Sequence, residues 1–253
     1  MQIIAVTQAR TGSTRLPGKV LKTIGGISLL ELHLRRISKS KRITKLVVAT
    51  TDQPEDQAIV DIAKELGIAY YQGSVNDVLD RFYQSLQRFS ADYVVRVTAD
   101  CPLIDYELVD KVIDFVIDKN LDYGSNTLEP HYPDGQDVEV FKYRALKTAW
   151  EESILPSERE HVTPYIWKNS SYKGNSLYIS DNFDEGYSFG HLRMTVDEQR
   201  DFEVIKQLIE QKGSDGSWLD YATYLSDHAN ITALNEQFGR NEGYQNSINK
   251  DLQ

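Results

Sequence analysis

Along the first half of the chain the hydrophobic pattern switches repeatedly between two periods. The β-branched runs IIAVTQA (3–9), KLVVATT (45–51) and DYVVRVTAD (92–100) are apolar nearly throughout, as strands buried on both faces are. Between them apolar residues recur every three or four positions. That spacing predicts helices over SLLELHLRRIS (28–38), EDQAIVDIAKELG (55–67) and NDVLDRFYQSLQRFS (76–90), with a short strand, IAYYQG (68–73), before the last. Gly67 fits a helix C′ position, Asn76 fits an N-cap, and Asp105 fits the cap of a further helix over 106–120. The resulting βαβαβαβ order predicts an α/β fold: a Rossmann-like, mostly parallel sheet with helices on both faces.

Beyond about residue 121 the rhythm changes. DYGSN (122–126) and HYPDGQDVEVF (131–141) are rich in turn formers, and DVEVF alternates as an antiparallel strand does. Helical patterns follow at 143–153 and 158–169, then irregular Tyr-rich sequence, then RMTVDEQRDFEVI (193–205) leading into an amphipathic helix that ends near residue 212. The layout reads as one domain, 1–253, with a mixed insertion over 121–190 suited to acceptor binding or dimerisation, and a polar tail over 244–253 expected to be disordered.

Composition narrows the partners. A net charge of −10 argues against nucleic acid, whose phosphate backbone calls for broad Lys/Arg surfaces. One cysteine, Cys101, excludes an internal disulfide, suits a reducing cytoplasm and reads as a small buried side chain. No apolar stretch approaches 18 residues and no secretory signal pattern opens the chain, so a soluble cytoplasmic protein with no membrane partner is expected.

Against that acidic background, the loop RTGSTRLPGK (10–19) gathers Arg10, Arg15 and Lys19. It leaves the carboxyl end of the first strand, where open α/β sheets bind ligands. Gly12 and Gly18 allow a tight curl, Ser13 and Thr14 add hydroxyls, and three cations complement a polyphosphate. It is not a Walker A loop: five residues separate its glycines and Val20 follows Lys19. It is not a G-x-G-x-x-G fingerprint either.

RTGSTRLPGKVL resembles the signature Arg-x-Gly-Ser-x-Arg-Leu-Pro-Gly-Lys of cytidylyltransferases that activate acidic sugars. More closely, the chain resembles the spore-coat polysaccharide cytidylyltransferase-like family, through VVATTD (47–52), GSVNDVLDRF (73–82), RVTADCPLID (96–105), PDGQDVEVF (133–141), SEREHVTPYI (157–166) and RNEGY (240–244). The resemblance implies a GT-A-like nucleotidyltransferase fold. In it the loop from Ala9 through Thr11, Gly12 and Ser13 would wrap a triphosphate, with Arg10, Arg15 and Lys19 neutralising the β- and γ-phosphates. Gly73, Ser74 and Asp77 would approach base and ribose, though Asn76 and Asp77 also read as helix N-terminal residues.

Nucleotidyl transfer calls for Mg²⁺ held by one or two carboxylates. Asp100 ends an apolar strand that Pro102 stops, which places it at the sheet's carboxyl edge. By resemblance Asp197 is its partner, although Asp197 also fits the cap of a helix starting near 198. For the acceptor, Asp137 and Glu139 sit two apart and would share a strand face, while Arg159 and His161 suit a carboxylate or phosphate. Ser157-x-x-Glu160 also reads as a capping box. The implied reaction moves CMP from CTP to an acidic sugar or sugar-phosphate-like acceptor with release of pyrophosphate, for surface polysaccharide or glycoconjugate synthesis. The alternatives are a GT-A glycosyltransferase, which would usually show Asp-x-Asp where TADCP has one Asp, and a non-catalytic nucleotide-binding subunit. The broader fold group also admits a homodimer.

Overall fold

The computed structural model describes residues 1–251. Strands β1 (Ile3–Gln8), β2 (Thr23–Ile24), β3 (Ile27–Ser28), β4 (Lys45–Thr51), β5 (Ala69–Gly73), β6 (Tyr93–Thr98), β7 (Tyr123–Ser125), β8 (Glu139–Lys142) and β9 (Ser180–Asn182) form two sheets. The pair β2–β3 is a small hairpin; the other seven make one sheet in the order β5-β4-β1-β6-β8-β7-β9. The run from β5 to β6 is parallel throughout, β8 is antiparallel to both its neighbours, and β9 is parallel to β7. The segment read as an insertion therefore adds strands to the main sheet.

Strand alternation divides the core in two. In β1, Ile3 and Ala5 face one layer while Ile4 and Val6 face the other, which is why the sequence shows an unbroken apolar run. The first layer is closed by α1 (Leu29–Ile37), α2 (Gln57–Glu65), α4 (Tyr106–Asp118), α8 (Gln199–Lys212) and α9 (Trp218–Asp227). The second is closed by α3 (Val78–Ser85), α5 (Tyr143–Glu152) and α7 (Pro164–Lys168). The short α6 (Pro156–His161) and α10 (Ala229–Thr232), with the C-terminal α11 (Glu242–Asp251), complete the chain. Among the described residues no helix is long and apolar enough to cross a membrane.

Several local expectations change. Helix α3 ends at Ser85, and Asp77, rather than Asn76, caps it by accepting from the Asp80 N–H at 2.9 Å. The pattern at 158–169 breaks into α6 and α7 because Val162 adopts φ 72° and Pro164 follows, lacking the N–H that would continue the first helix. Ser157 lies inside α6, so no capping box forms; Glu160 instead accepts from Ser247 at 2.7 Å. The cap of α8 is Glu198, which leaves Asp197 free of that duty. Strand β8 begins at Glu139, so Asp137 and Glu139 do not share one strand's face.

The tail also differs from expectation. It is helical through Asp251 and packs on α6, where the Asp251 carboxylate accepts from the Ser157 N–H at 2.8 Å; residues 252–253 lie outside the described residues. Polar composition concealed this helix because it docks through hydrogen bonds to α6 and a single aromatic, Tyr244, set edge-on to His161 and Trp167, rather than through an apolar stripe.

The segment 134–136 crosses the backbone of 192–195 at close range. The Asp134 N–H donates to the Leu192 carbonyl at 2.9 Å and the Asp134 carbonyl accepts from the Met194 N–H at 2.6 Å, and a Cβ on Gly135, at φ 104°, would lie 2.5 Å from the Met194 carbonyl carbon. Neither the strain nor the clash can be relieved by a rotamer change. Gly135→Ala should therefore lower the free energy of unfolding by on the order of 3 kcal/mol, read from urea denaturation midpoints. A wild-type midpoint would show that this crossing yields easily.

Candidate functional site

The chain leaves β1 at Ala9, whose N–H remains in the sheet, bonded to the Ala49 carbonyl at 3.1 Å. At Thr11 the backbone N–H and the hydroxyl both donate to one oxygen of Asp56, each at 2.7 Å. Asp56 is only 2% exposed and takes the Thr51 hydroxyl on its other oxygen. The Thr11 carbonyl then accepts from Ser13 at 2.8 Å and from Gly18 at 3.0 Å, so the loop is a closed curl pinned at one point. Gly18, at φ 66°, makes the left-handed turn into Lys19. Gly12 has open space around it, so crowding does not demand a glycine there. The donors expected at Ala9 and Thr11 are thus spent on architecture. Sequence reading missed Asp56; its signal was the acid in TTDQPED, just past the second long strand.

Lys19 stands between the two predicted metal carboxylates. Its Nζ lies 3.0 Å from Asp100 Oδ2 and 2.7 Å from Asp197 Oδ1. The two aspartates come from distant parts of the chain, and backbone staples bring them together. The Asp100 carbonyl accepts from the Val196 N–H at 2.8 Å and from the Thr195 hydroxyl at 3.2 Å. Burial opposes the charge on Lys19, but Asp100 and Asp197 outweigh it and hold the ammonium above its ordinary pKa. Burial likewise opposes the Asp100 charge, and Lys19 with the Thr98 hydroxyl outweighs it, holding the carboxyl well below the usual range.

Arg15 is committed to carboxylates as well: Asp197 at 3.0 Å, Glu198 at 3.6 Å and Glu242 at 3.4 Å. Arg10, exposed, makes no ion pair among the described residues and lies close enough to the buried Arg81 to help depress its pKa. Burial is the larger cause, and together they push Arg81 down to about 10.

Behind Asp197 sits Arg193, one of two site cations for which composition gave no signal. It contacts Asp134 at 2.8 Å, Asp197 at 3.1 Å and Asp201 at 2.9 Å. The other is Arg240, which pairs with Asp137 and donates to the Tyr132 carbonyl at 3.0 Å. Burial, then the charge of Asp137, push Asp134 up to about 7 against the pull of Arg240 and Arg193. Beneath Asp100, the fully buried His33 lies 3.0 Å from the Thr7 hydroxyl and 2.9 Å from the Cys101 carbonyl, which ties the Asp100–Cys101 turn to α1. Cys101 is buried as expected, and burial followed by the Asp100 charge raises its thiol pKa well above the ordinary value.

The remaining predicted residues divide differently from expectation. Gly73 packs against Arg81: a Cβ there would meet the Arg81 Cγ at 3.3 Å. The Ser74 hydroxyl accepts from the N–H groups of Asn76 and Asp77, at 3.2 and 3.1 Å. Arg159, expected to face an acceptor, forms a fork with Asp77 at 2.5–3.1 Å and donates to the Trp150 carbonyl at 2.8 Å. His161 lies 3.0 Å from the Ser247 hydroxyl under α11, with its pKa pushed down to about 4 by burial and then by Arg96. Glu139 is buried and accepts from Arg96, from Tyr123 at 2.7 Å and from Thr163 at 2.5 Å. Arg159, His161 and Glu139 are thus all engaged by the protein's own groups. Asp137, with Arg240, faces the Asp100 side closely enough for the two carboxyls to repel.

Among the described residues no group of three or more His, Cys, Asp or Glu is arranged as a self-sufficient metal site. Asp100 and Asp197 do direct one oxygen each at a common point, where Lys19 stands. Two hard carboxylate oxygens suit a cation that draws its other ligands from water and phosphate, as Mg²⁺ does. The donor set fits.

Several known proteins resemble this chain over most of its length. A family model described as cytidylyltransferase matches residues 4–245. An uncharacterized protein of Methanocaldococcus jannaschii is 40% identical over 208 residues, 82% of this chain and 83% of its own. The spore coat polysaccharide biosynthesis protein SpsF of Bacillus subtilis is 33% identical over 83% of this chain and 88% of its own. Among solved structures, a cytidylyltransferase from Leptospira borgpetersenii superposes with a TM-score of 0.86 at 29% identity, covering 95% of this chain and all of that one.

The buried imidazole under the site has a measurable consequence. In the folded chain burial holds His33 near pKa 4, against 6.5 when unfolded. The stability that its neutral form permits is present above pH 6.5 and is lost as pH falls toward 4, because the unfolded chain takes up the proton first. Urea midpoints should therefore drop between pH 7.5 and 5, and drop less in His33→Gln. An equal drop in the variant would place the proton elsewhere.

Proposed function

Because the chain belongs to the cytidylyltransferase family, we propose that it transfers CMP from CTP to an acidic sugar or sugar-phosphate-like acceptor and releases pyrophosphate, on a GT-A-like fold in the cytoplasm. The observation that carries this reading is the convergence of Lys19, Asp100 and Asp197 at the carboxyl edge of the sheet, beside a basic loop. A catalytic triad is not needed. In-line displacement at phosphorus depends mainly on positioning and on charge placed in advance. The wider role, in surface polysaccharide or glycoconjugate synthesis, follows the spore coat polysaccharide biosynthesis named for the Bacillus subtilis relative.

In this reading CTP enters over the loop from Arg10 to Lys19. Arg10, which has no carboxylate partner to leave among the described residues, meets the outer phosphates first. Arg15 and Lys19 then exchange carboxylate oxygens for phosphate oxygens and stabilise the departing pyrophosphate. Asp100 and Asp197 would hold Mg²⁺, which when bound would supply positive charge against the triphosphate. The acceptor oxygen approaches the α-phosphorus from the side of Asp137 and Arg240. Base and ribose lie toward Gly73 and Ser74, on a wall braced by the Asp77–Arg159 fork. Nucleic acid and membranes have no part in this reaction, and the protein works alone or as a homodimer.

Pyrophosphate release with each of the four NTPs, Mg²⁺ and a panel of acidic sugars and sugar phosphates tests the reading; release that favours no nucleotide and needs no acceptor would overturn it. Asp100→Asn and Asp197→Asn should each lower turnover by about 10²–10³ while the fold is kept, as judged by circular dichroism, and Lys19→Ala should fall in the same range. A near-normal rate in any one of them would remove that residue from the chemistry. Glu242→Gln should act oppositely and weakly. It frees Arg15 from a half-exposed pair worth less than about 1 kcal/mol, so KM for CTP should fall no more than about fivefold, and less at high salt.

A further inference from the structure

Resting on the reading above, we infer that Arg193 is a positioning residue, which orients Asp197 so that one chosen oxygen faces Asp100. Arg193 is 6% exposed, and its planar fork is fully used. Nε and one terminal nitrogen grip the two oxygens of Asp201 at 2.9 and 3.0 Å. The same terminal nitrogen reaches Asp197 Oδ2 at 3.1 Å, and the other holds Asp134 at 2.8 Å and the Gly239 carbonyl at 3.4 Å.

The anchor of this fork is rigid. Asp201 has no exposed surface and accepts from the N–H groups of Asp197 and Glu198, both at 2.9 Å, and from the Asn235 amide at 2.9 Å. Asp201 therefore ties the fork to the start of α8, and Arg193 ties Asp197 Oδ2 to Asp201. Only Asp197 Oδ1 is left to turn toward Lys19 and Asp100. Stability is a poor explanation for the network, since buried ion clusters are often matched or bettered by apolar packing. Orientation is a good one. Partners that hold a ligating carboxylate typically matter by about 10–100-fold in metal affinity. A lysine at 193 would keep the charge but not the fork, so it cannot grip Asp201 and Asp197 together.

The test is direct binding, independent of turnover: Mn²⁺ titrated into the full-length protein with CTP and no acceptor, with free Mn²⁺ read by electron paramagnetic resonance. Arg193→Lys, shown folded by circular dichroism and melting temperature, should bind Mn²⁺ about 10–100-fold more weakly than wild type. Asn235→Ala leaves every charge in place but loosens the anchor, and should weaken binding in the same direction, by about threefold or more. Asp134→Asn, which weakens an arm not directed at Asp197, should stay within about threefold of wild type. Wild-type affinity in folded Arg193→Lys, or in Asn235→Ala should the first not fold, overturns the inference. Failure of the wild type itself to bind Mn²⁺ with CTP would overturn the metal reading beneath it.

Discussion

The hydrogen bond from the Val196 N–H to the Asp100 carbonyl, with the Lys19 ammonium lodged between Asp100 and Asp197, is the constraint on which the site depends. Without that backbone staple two acids from opposite parts of the chain would have no reason to approach. Without the ammonium their repulsion would hold them apart. Its elevated pKa and the depressed pKa of Asp100 are two aspects of one interaction. The arrangement concentrates opposite charges at the sheet's carboxyl edge and keeps them balanced there.

The same balance extends outward. In a protein of net charge −10, nearly every cation around the cleft is matched by an acid: Arg15 by Asp197, Glu198 and Glu242, Arg193 by three aspartates, Arg159 by Asp77, Arg240 by Asp137. Among the described residues, Arg10 alone of the loop cations stands without one. A net-acidic chain can thus carry a basic loop, because most of the loop's cations are offset locally by acids from other elements.

The C-terminal segment takes part in this economy. Gly239 receives Arg193, Arg240 holds Asp137, Glu242 holds Arg15, and α11 packs on α6 through Ser247 and Asp251. Since α6 carries Arg159 to Asp77, the tail connects the basic loop at 10–19 to the start of α3.

The apolar periodicity by itself determined the three-layer α/β plan, because strands buried on both faces and helices buried on one leave distinct spacings. The basic loop at 10–19 and the strand-end position of Asp100 were legible for the same reason: a polar residue just past a buried run must lie at the sheet's edge. Which groups pair was not legible. Arg159 and His161 looked free for a ligand in sequence, yet one is paired with an acid 82 residues away and the other lies beneath a helix that composition read as disordered. Only the tertiary structure chose Glu198 over Asp197 as the cap of α8 and gave Arg193 its three acids. Charge pairing follows distance in space, and sequence spacing records it only within one element.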